Sequence, residues 1–387
     1  MSVAGTASRV RTGGHVEAQP GRPRVLVVGP LPPPYHGGSV ATRFVLDSGL
    51  QREWQVTHLD TTDRRGLDNV GRVDAANVVL AMKHATGLLR LLATARPDVV
   101  YVPIAQNTLG LLRDATFVLP ALAAGRRVVL HVHGSGLRAY HDAAGPVMRR
   151  LLGAMLAGAR RVIVLGERLR PMLDGLVDGD RVAVLPNGSD DPFGGVPDRS
   201  SRTGPVRVLY LGNLIRTKGF LDVMDAVGML RGKGLPVELH LAGDFLSDVD
   251  RRAAADRGAG LGTAVTFHGV VTGDAKTELL RSADIFCFPS YYPNEGHPYV
   301  VVEAMAAGLP VVATAHATIG DTVLDGETGI LVPPRNPEAL ATALASLVKA
   351  AGERSRLGHA GRRRFEDHYT LVRWSDGLCR IMRESLT

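Results

Sequence analysis

Cysteine is nearly absent from this chain, with only Cys287 and Cys379 in 387 residues. Two thiols exclude a disulfide framework and any zinc site built on cysteine, and they suit a reducing compartment. Long hydrophobic runs are missing too. The nearest approach to the roughly 18 apolar residues of a membrane span is Val78 to Ala95, which Lys83, His84 and Arg90 interrupt. Residues 1–21 contain Arg9 and Arg11 but no apolar leader core, so they read as a disordered tail and not a signal peptide. Lysine is also scarce. Of 45 basic residues only Lys83, Lys218, Lys233, Lys276 and Lys349 are lysines. An arginine-rich coding bias explains this, and it makes a lysine in a glycine-flanked loop more informative.

What is present describes a globular α/β chain. Hydrophobic residues make up 45% and charged residues 21%, which excludes wholesale disorder. The net charge of +7 is uneven: residues 1–200 hold 24 basic and 17 acidic residues, whereas residues 201–387 hold 21 of each. Short β-branched runs alternate with longer helical stretches. Strands are expected at Arg24–Gly29, Trp54–Leu59, Asp98–Val102, Arg127–Val132, Val162–Leu165 and Val182–Leu185. Helices are expected at Ser39–Leu50, Val73–Ala95 and Thr108–Ala124. Asn187 to Pro205 has turn residues and no apolar period. The alternation then restarts with strands at Val206–Leu211, Val237–Ala242, Val265–His268, Asp284–Phe288 and Pro310–Thr314. Helices are expected at Phe220–Arg231, Glu338–Lys349, Glu353–Asp367 and Leu371–Met382. This pattern predicts two doubly wound, Rossmann-like domains with parallel sheets. The divisions are residues 22–195, a linker at 196–205, residues 206–369 and a last helical segment at 370–387.

The richest stretch runs from Pro289 through Glu295-Gly-His-Pro-Tyr299 and Glu303-Ala-Met-Ala-Ala-Gly308 to Pro310. A strand enters a loop, and a helix starts near Pro298, where proline suits the first turn. The N–H groups at such a helix start favour an anion such as phosphate. Two carboxylates beside a phosphate would repel it, so Glu295 and Glu303 suit sugar or ribose hydroxyls.

The E-x7-E spacing of Glu295 and Glu303, with E-A-M-A-A-G-x-P, resembles the retaining family 4 glycosyltransferases of the GT-B fold. Pro186-Asn187-Gly188 is similar to the family's P-N-G, Leu211-Gly-Asn213-Leu214 with Lys218-Gly219 to its G-R-L…K-G, and Gly326-Glu-Thr-Gly329-Ile-Leu-Val to its G-x-x-G-x-L-V. Gly37-Gly38 and His133-Gly134 also fit. The resemblance implies a GT-B architecture, two Rossmann-like domains facing a central cleft, with the acceptor on the N-terminal domain and the donor on the C-terminal one. It also implies a final helix that returns to the N-terminal domain.

The resemblance further implies catalytic roles for His133 facing the reacting sugar, Lys218 neutralising the diphosphate and Glu295 binding sugar hydroxyls. Donor contacts are implied for Gly37, Gly38, Asn213, Arg216, Gly296, His297, Pro298, Tyr299 and Glu303, with Glu303 on the ribose. Asn213 departs from the family's arginine, and Arg216 stands two residues before Lys218 as a substitute charge. The implied reaction transfers a sugar with retention from a UDP- or GDP-sugar to a saccharide, lipid-linked or small-molecule acceptor. The leaving phosphate would take the acceptor proton. No cofactor or metal is expected, and no nucleic-acid partner. The implied setting is cytoplasmic, with peripheral attachment to an anionic inner membrane face in cell-envelope polysaccharide or glycolipid synthesis. A natural-product glycosyltransferase, an epimerase or phosphorylase of the same fold, and a non-catalytic nucleotide-sugar-binding subunit stay open.

Other features have plainer explanations. His131 and His133 form H-x-H on one strand face, and for His131 a packed role is favoured over metal binding. Asp178-x-Asp180 and Asp248-x-Asp250 read as turn and helix-cap residues. Gly37-Gly38 lacks the third glycine of a dinucleotide fingerprint. Phe365, Tyr369 and Trp374 read as core, and Arg362-Arg-Arg364 as a solvated face.

Overall fold

The computed structural model describes residues 21–32, 37–62, 75–199 and 202–387. The expected disordered tail, apart from Gly21, lies outside them, as do most of the proline-rich loop before Gly37, Val73 of the expected third helix, and Ser200–Ser201 of the linker.

The first half runs β1 (Arg24–Gly29), α1 (Gly37–Asp47), α2 (Leu50–Glu53), β2 (Gln55–Asp60), α3 (Ala75–Thr94) and β3 (Val99–Ile104). It continues with α4 (Thr108–Ala123), β4 (Arg127–Val132), α5 (Leu137–Ala143), α6 (Pro146–Gly158), β5 (Arg161–Val164) and β6 (Val182–Val184). The second half runs β7 (Val206–Leu211), α7 (Phe220–Gly232), β8 (Val237–Ala242), α8 (Asp248–Leu261), β9 (Val265–Phe267), α9 (Gly273–Ser282) and β10 (Ile285–Phe288). Then come α10 (Tyr299–Ala306), β11 (Val311–Thr314), α11 (Ile319–Thr322), β12 (Gly329–Val332), α12 (Pro337–Lys349), α13 (Ala351–His368) and α14 (Leu371–Glu384).

Two six-stranded sheets result, ordered β2-β1-β3-β4-β5-β6 and β12-β11-β10-β7-β8-β9. Every strand pair is parallel. The chemistry of β1 explains its central place. Its run of Val and Leu is buried on both faces, as a parallel strand covered by helices on each side must be. Leu26 and Val28 join Leu88 of α3 and Phe117 of α4 on one face. Val25 and Val27 point the other way, into a core with Val45, Trp54, Trp374, Leu378 and Met382. Helix α14 therefore closes the first sheet's core, although it follows the second sheet in sequence. The second sheet has its own core, in which Phe286, Met305, Leu344 and Phe365 are all fully buried.

Several short elements escaped the pattern. Strand β12 (Gly-Ile-Leu-Val) is apolar but only four residues long and begins at Gly329, too short a run to mark a strand by itself. Helices α5 and α6 lie in a glycine-punctuated stretch that suggested no element. The arginine run also needs correction. Arg362 is only 5% exposed. It bonds Asp191 and Glu366 and donates to the Ala306 carbonyl oxygen, while Arg364 donates to the carbonyls of Asp321 and Thr322. The D-x-D pairs have structural partners: Asp178 pairs with Arg181, and the N–H of Asp250 donates to the Ser247 cap of α8 while its carboxylate holds Arg216.

Leu378→Ala should cost about 2–5 kcal/mol, as for a fully buried leucine that leaves a cavity. Hydrogen exchange at β1 and β3 should accelerate, while β10 stays protected. Equal loss in both sheets would contradict the assignment of α14 to the first core.

Candidate active site

Loops at the C-terminal ends of the two sheets meet. Ligand crevices of open α/β sheets form at such ends. On the second sheet, β10 ends at Phe288 and the chain turns through Ser290. The Ser290 hydroxyl donates to Glu295 Oε2 at 2.7 Å, and its carbonyl accepts from the Thr314 hydroxyl at the end of β11. Glu295 is 6% exposed. Lys218 Nζ lies 3.2 Å from Glu295 Oε2 and 3.3 Å from Oε1. The ammonium also sits over the rings of Phe288 and Tyr292, at 5.7 and 5.4 Å from their centroids.

The backbone around Lys218 explains the K-G dipeptide. Lys218 closes a 3-10 turn from Arg216, and Gly219 follows at φ 81°. A Cβ there would strike the Pro289 carbonyl, so the left-handed conformation and the close approach both require glycine. Asn213 is exposed. Arg216 is bound to Asp250 through its backbone N–H and, at 3.5 Å, through its guanidinium. The candidate substitute charge is thus already engaged by an acid.

Gly296 follows Glu295 and abuts the first sheet's loops, since a Cβ on it would collide with the His133 carbonyl oxygen. Beside this contact, the Ser135 hydroxyl donates to the Pro293 carbonyl at 2.8 Å. Asn187, the centre of P-N-G, donates to the His297 carbonyl at 2.7 Å. Two separate sequence motifs are one physical junction. Thr318 donates to the Gly296 carbonyl and Thr322 to the Thr318 carbonyl. Because the Thr322 proton is committed, its oxygen accepts from His297 Nε2 at 2.9 Å. His297 Nδ1 is then an acceptor, and it has no partner among the described residues. Burial holds this imidazole neutral, at about 3.

Helix α10 starts after Pro298. The Tyr299 ring meets Phe44 of α1 edge-on at 5.6 Å, so the helix that opens with Gly37-Gly38 faces α10 directly. Burial and the nearby Glu303 carboxylate raise the Tyr299 phenol. One turn on, Glu303 bonds Lys276 of α9, with Oε1 2.6 Å from Nζ.

His133 follows β4, and its Nε2 is buried without a partner among the described residues. Burial pushes its pKa down to about 4. Its ring lies 3.9 Å from that of His131, which is fully buried and bonded through Nδ1 to the Tyr101 hydroxyl at 2.6 Å. Among the described residues, no group of three His, Cys, Asp or Glu side chains is arranged to hold a metal.

A cavity of about 360 Å³ at the ends of β11 and β12 is lined by His316, Leu331 and Pro333, and His316 reaches the Tyr292 carbonyl at 2.7 Å. A second cavity, about 500 Å³, is lined by Val196, Arg199, Asp284, Gly308 and Arg354, at the opposite, N-terminal ends of β10 and β11. Sequence reasoning missed Ser290, Thr314 and Lys276. Lysine scarcity was the available signal for Lys276. Ser290 and Thr314 stand at strand ends with no spacing to mark them.

Residues 197–364 match the family described as glycosyl transferases group 1, and residues 17–188 match the glycosyl transferase 4-like domain. The phosphatidyl-myo-inositol mannosyltransferase of Mycobacterium tuberculosis is 30% identical over 295 residues, 68% of this chain and 74% of that one. The chain belongs to the family 4 glycosyltransferases. The glycogen synthase of M. tuberculosis is 32% identical over 193 residues, which span 49% of this chain and 45% of that protein's length. The fold is GT-B. Sucrose-phosphate synthase from Thermosynechococcus elongatus superposes with a TM-score of 0.76 at 20% identity, covering 94% of this chain and 98% of that one. Anabaena HepE in complex with UDP superposes at 0.71 and 18% identity, covering 93% and 99%.

Proposed function

We propose that this chain is a retaining, metal-independent glycosyltransferase that moves a sugar from a UDP- or GDP-sugar to a hydroxyl acceptor in cell-envelope polysaccharide or glycolipid synthesis. The observation that carries this reading is the Lys218–Glu295 pair beside the start of α10, at the junction where Gly296 touches His133. Lys218 supplies positive charge for the leaving diphosphate, and the first N–H groups of α10 add to it. When sugar hydroxyls arrive, Glu295 exchanges part of its bonding to Lys218 for them. His133, neutral at working pH, offers a hydrogen bond without adding charge. The donor's bond between anomeric carbon and phosphate oxygen breaks, and the acceptor oxygen bonds the same face of that carbon. The acceptor proton passes to the departing phosphate. The protein contributes positioning and charge stabilisation. HepE, alike in fold, is known in complex with UDP and with UDP-glucose, which favours UDP as the first donor to test.

The mannosyltransferase relative acts on phosphatidyl-myo-inositol by its name, which supports a lipid-linked acceptor. The surface supports it as well. Large exposed apolar side chains gather on α3, α4 and α6, where Val79, Met82, Leu89, Leu112 and Val147 project, with Val147 75% exposed. Exposed Lys83, Arg90, Arg113, Arg149 and Arg150 stand on the same helices. Apolar side chains edged by basic ones suit an anionic lipid surface.

A UDP- and GDP-sugar panel with saccharide and lipid acceptors should give a product with the donor's anomeric configuration. Turnover should survive EDTA. An inverted product, or activity lost in EDTA and restored by manganese, would overturn the mechanism; donor epimerisation without acceptor would favour the epimerase alternative. Glu303→Gln should chiefly raise the donor KM, because a ribose contact is uniform along the reaction, whereas Glu295→Gln should chiefly lower kcat. Each loss should be about 1–3 kcal/mol, as for a charged hydrogen bond. Co-sedimentation should require anionic liposomes and fade with salt, since exposed charges are screened beyond about 8 Å at physiological strength. Indifference to such liposomes at low salt would count against the membrane face.

A further inference from the structure

Both acids of the E-x7-E pair end on a lysine in a chain that has only five. Lys218 lies in a recognised motif, whereas Lys276 does not. It sits on α9, and its ammonium is 2.6 Å from Glu303 Oε1. Glu303 projects from a helix whose neighbouring positions Val301, Val302, Ala304 and Met305 are all buried. A carboxylate there loses hydration, which favours the protonated acid. The groups that face it divide by sign. Burial, and to a smaller extent Asp190, hold its carboxyl above the usual carboxylate range, and Lys276 opposes them through charge and hydrogen bond without fully offsetting them. Tyr299, on its own helix, is a neutral phenol whose ionisation Glu303 itself discourages.

Oε1 is committed to Lys276, and Oε2 has no partner among the described residues. The ion pair therefore fixes the carboxylate rotamer and leaves one oxygen to accept a hydroxyl. A protonated Glu303 would present a donor in place of one acceptor and could not receive a vicinal diol in the same way. The Lys276 side chain is 32% exposed, so it is not needed to fill the core.

We infer that Lys276 is a positioning residue for the nucleotide, holding Glu303 ionised and oriented to accept the hydroxyls of a nucleoside diphosphate. This rests on the nucleotide-sugar reading above. The effect of Lys276 passes through Glu303, so its loss registers as a pH-dependent weakening of binding.

The test has two arms on the full chain. In the first, without ligand, the Glu303 side-chain carboxyl is followed by carbon NMR in the wild type, Lys276→Met and Lys276→Arg, with thermal melts to establish folding. The Met variant should titrate at higher pH and the Arg variant near the wild type. A midpoint unmoved in folded Lys276→Met overturns the inference, whatever the ligand. If the Met variant does not fold, Lys276→Gln takes its place. In the second arm, calorimetry measures UDP and GDP binding from pH 6 to 8.5. The wild type should be nearly flat, while Lys276→Met should bind about tenfold more weakly at pH 6 and recover towards pH 8.5, tenfold being the loss when the carboxyl midpoint lies about one unit above the buffer pH. The sign follows because the raised carboxyl gains its proton as pH falls. Lys276→Arg should restore the flat profile, and Glu303→Gln in the Met background should abolish the slope. An equal loss at every pH would mean that Lys276 touches the ligand itself and would overturn the positioning role. If the wild type binds neither nucleotide while the first arm succeeds, the donor reading falls instead and takes the nucleotide role with it.

Discussion

The molecule depends on how its chain crosses twice between the two sheets at one place. Arg362 of α13 fastens this point. Its guanidinium reaches Asp191, just beyond P-N-G, at 2.8 Å, and also holds Glu366 and the Ala306 carbonyl at the end of α10. A charge this deeply buried is tolerable only when it is fully paired. Beside it the outgoing and returning strands of chain bond directly, Ser189 N–H to the Tyr369 carbonyl and Leu371 N–H to the Ser189 carbonyl. Gly188 permits the approach, because a Cβ there would meet Thr370 and Trp374. One residue upstream, Asn187 reaches the loop that carries Glu295 and His297. The crossing and the candidate site therefore lie two residues apart in sequence, Ser189 bonding the returning chain and Asn187 the His297 carbonyl.

Much of the fold was legible because parallel strands buried on both faces are largely apolar, and β1, β4 and β7 have the boundaries their sequence runs suggest; β8 does too, although Glu238 and His240 alternate with its buried residues. Short edge strands were legible less evenly: β6 and β9, three residues each, were expected, whereas β12, only four residues long at the other edge of the second sheet, was passed over. The candidate site was legible where geometry demands a particular residue type. Gly219 and Gly296 each sit against another segment's carbonyl, and no other side chain fits. It was illegible where a residue type is chemically flexible. A serine such as Ser290 has many uses, and only the fold reveals that it orients Glu295. Arg362 misled for a related reason. Three consecutive arginines look solvated, but a helix turns each to a different side, and one of the three meets the crossing.

Electrostatics across the cleft follow from this arrangement. The histidines on the two sides, His133 and His297, are both held neutral by burial. The acids are each matched to one lysine. The junction thus carries little uncompensated charge before a ligand arrives, although it contains many ionisable groups. On the proposed reading, a diphosphate would have to draw the ammonium of Lys218 away from a carboxylate partner, so recognition would exchange one ion pair for another and not simply fill an electropositive hole.

Helix α14 has a consequence for biosynthesis. Trp374, Leu378, Cys379, Ile381 and Met382 complete the core beneath Val25, Val27 and Val99, yet they are translated a whole domain later than those strands. While the second sheet is still emerging from the ribosome, one face of the first sheet is covered only in part, by α1 and α2. Synthesis proceeds at roughly 5–20 residues per second, so that face waits on the order of ten seconds or more for its cover. The first domain made is the last to be finished, and during that interval part of its apolar core stays exposed to water.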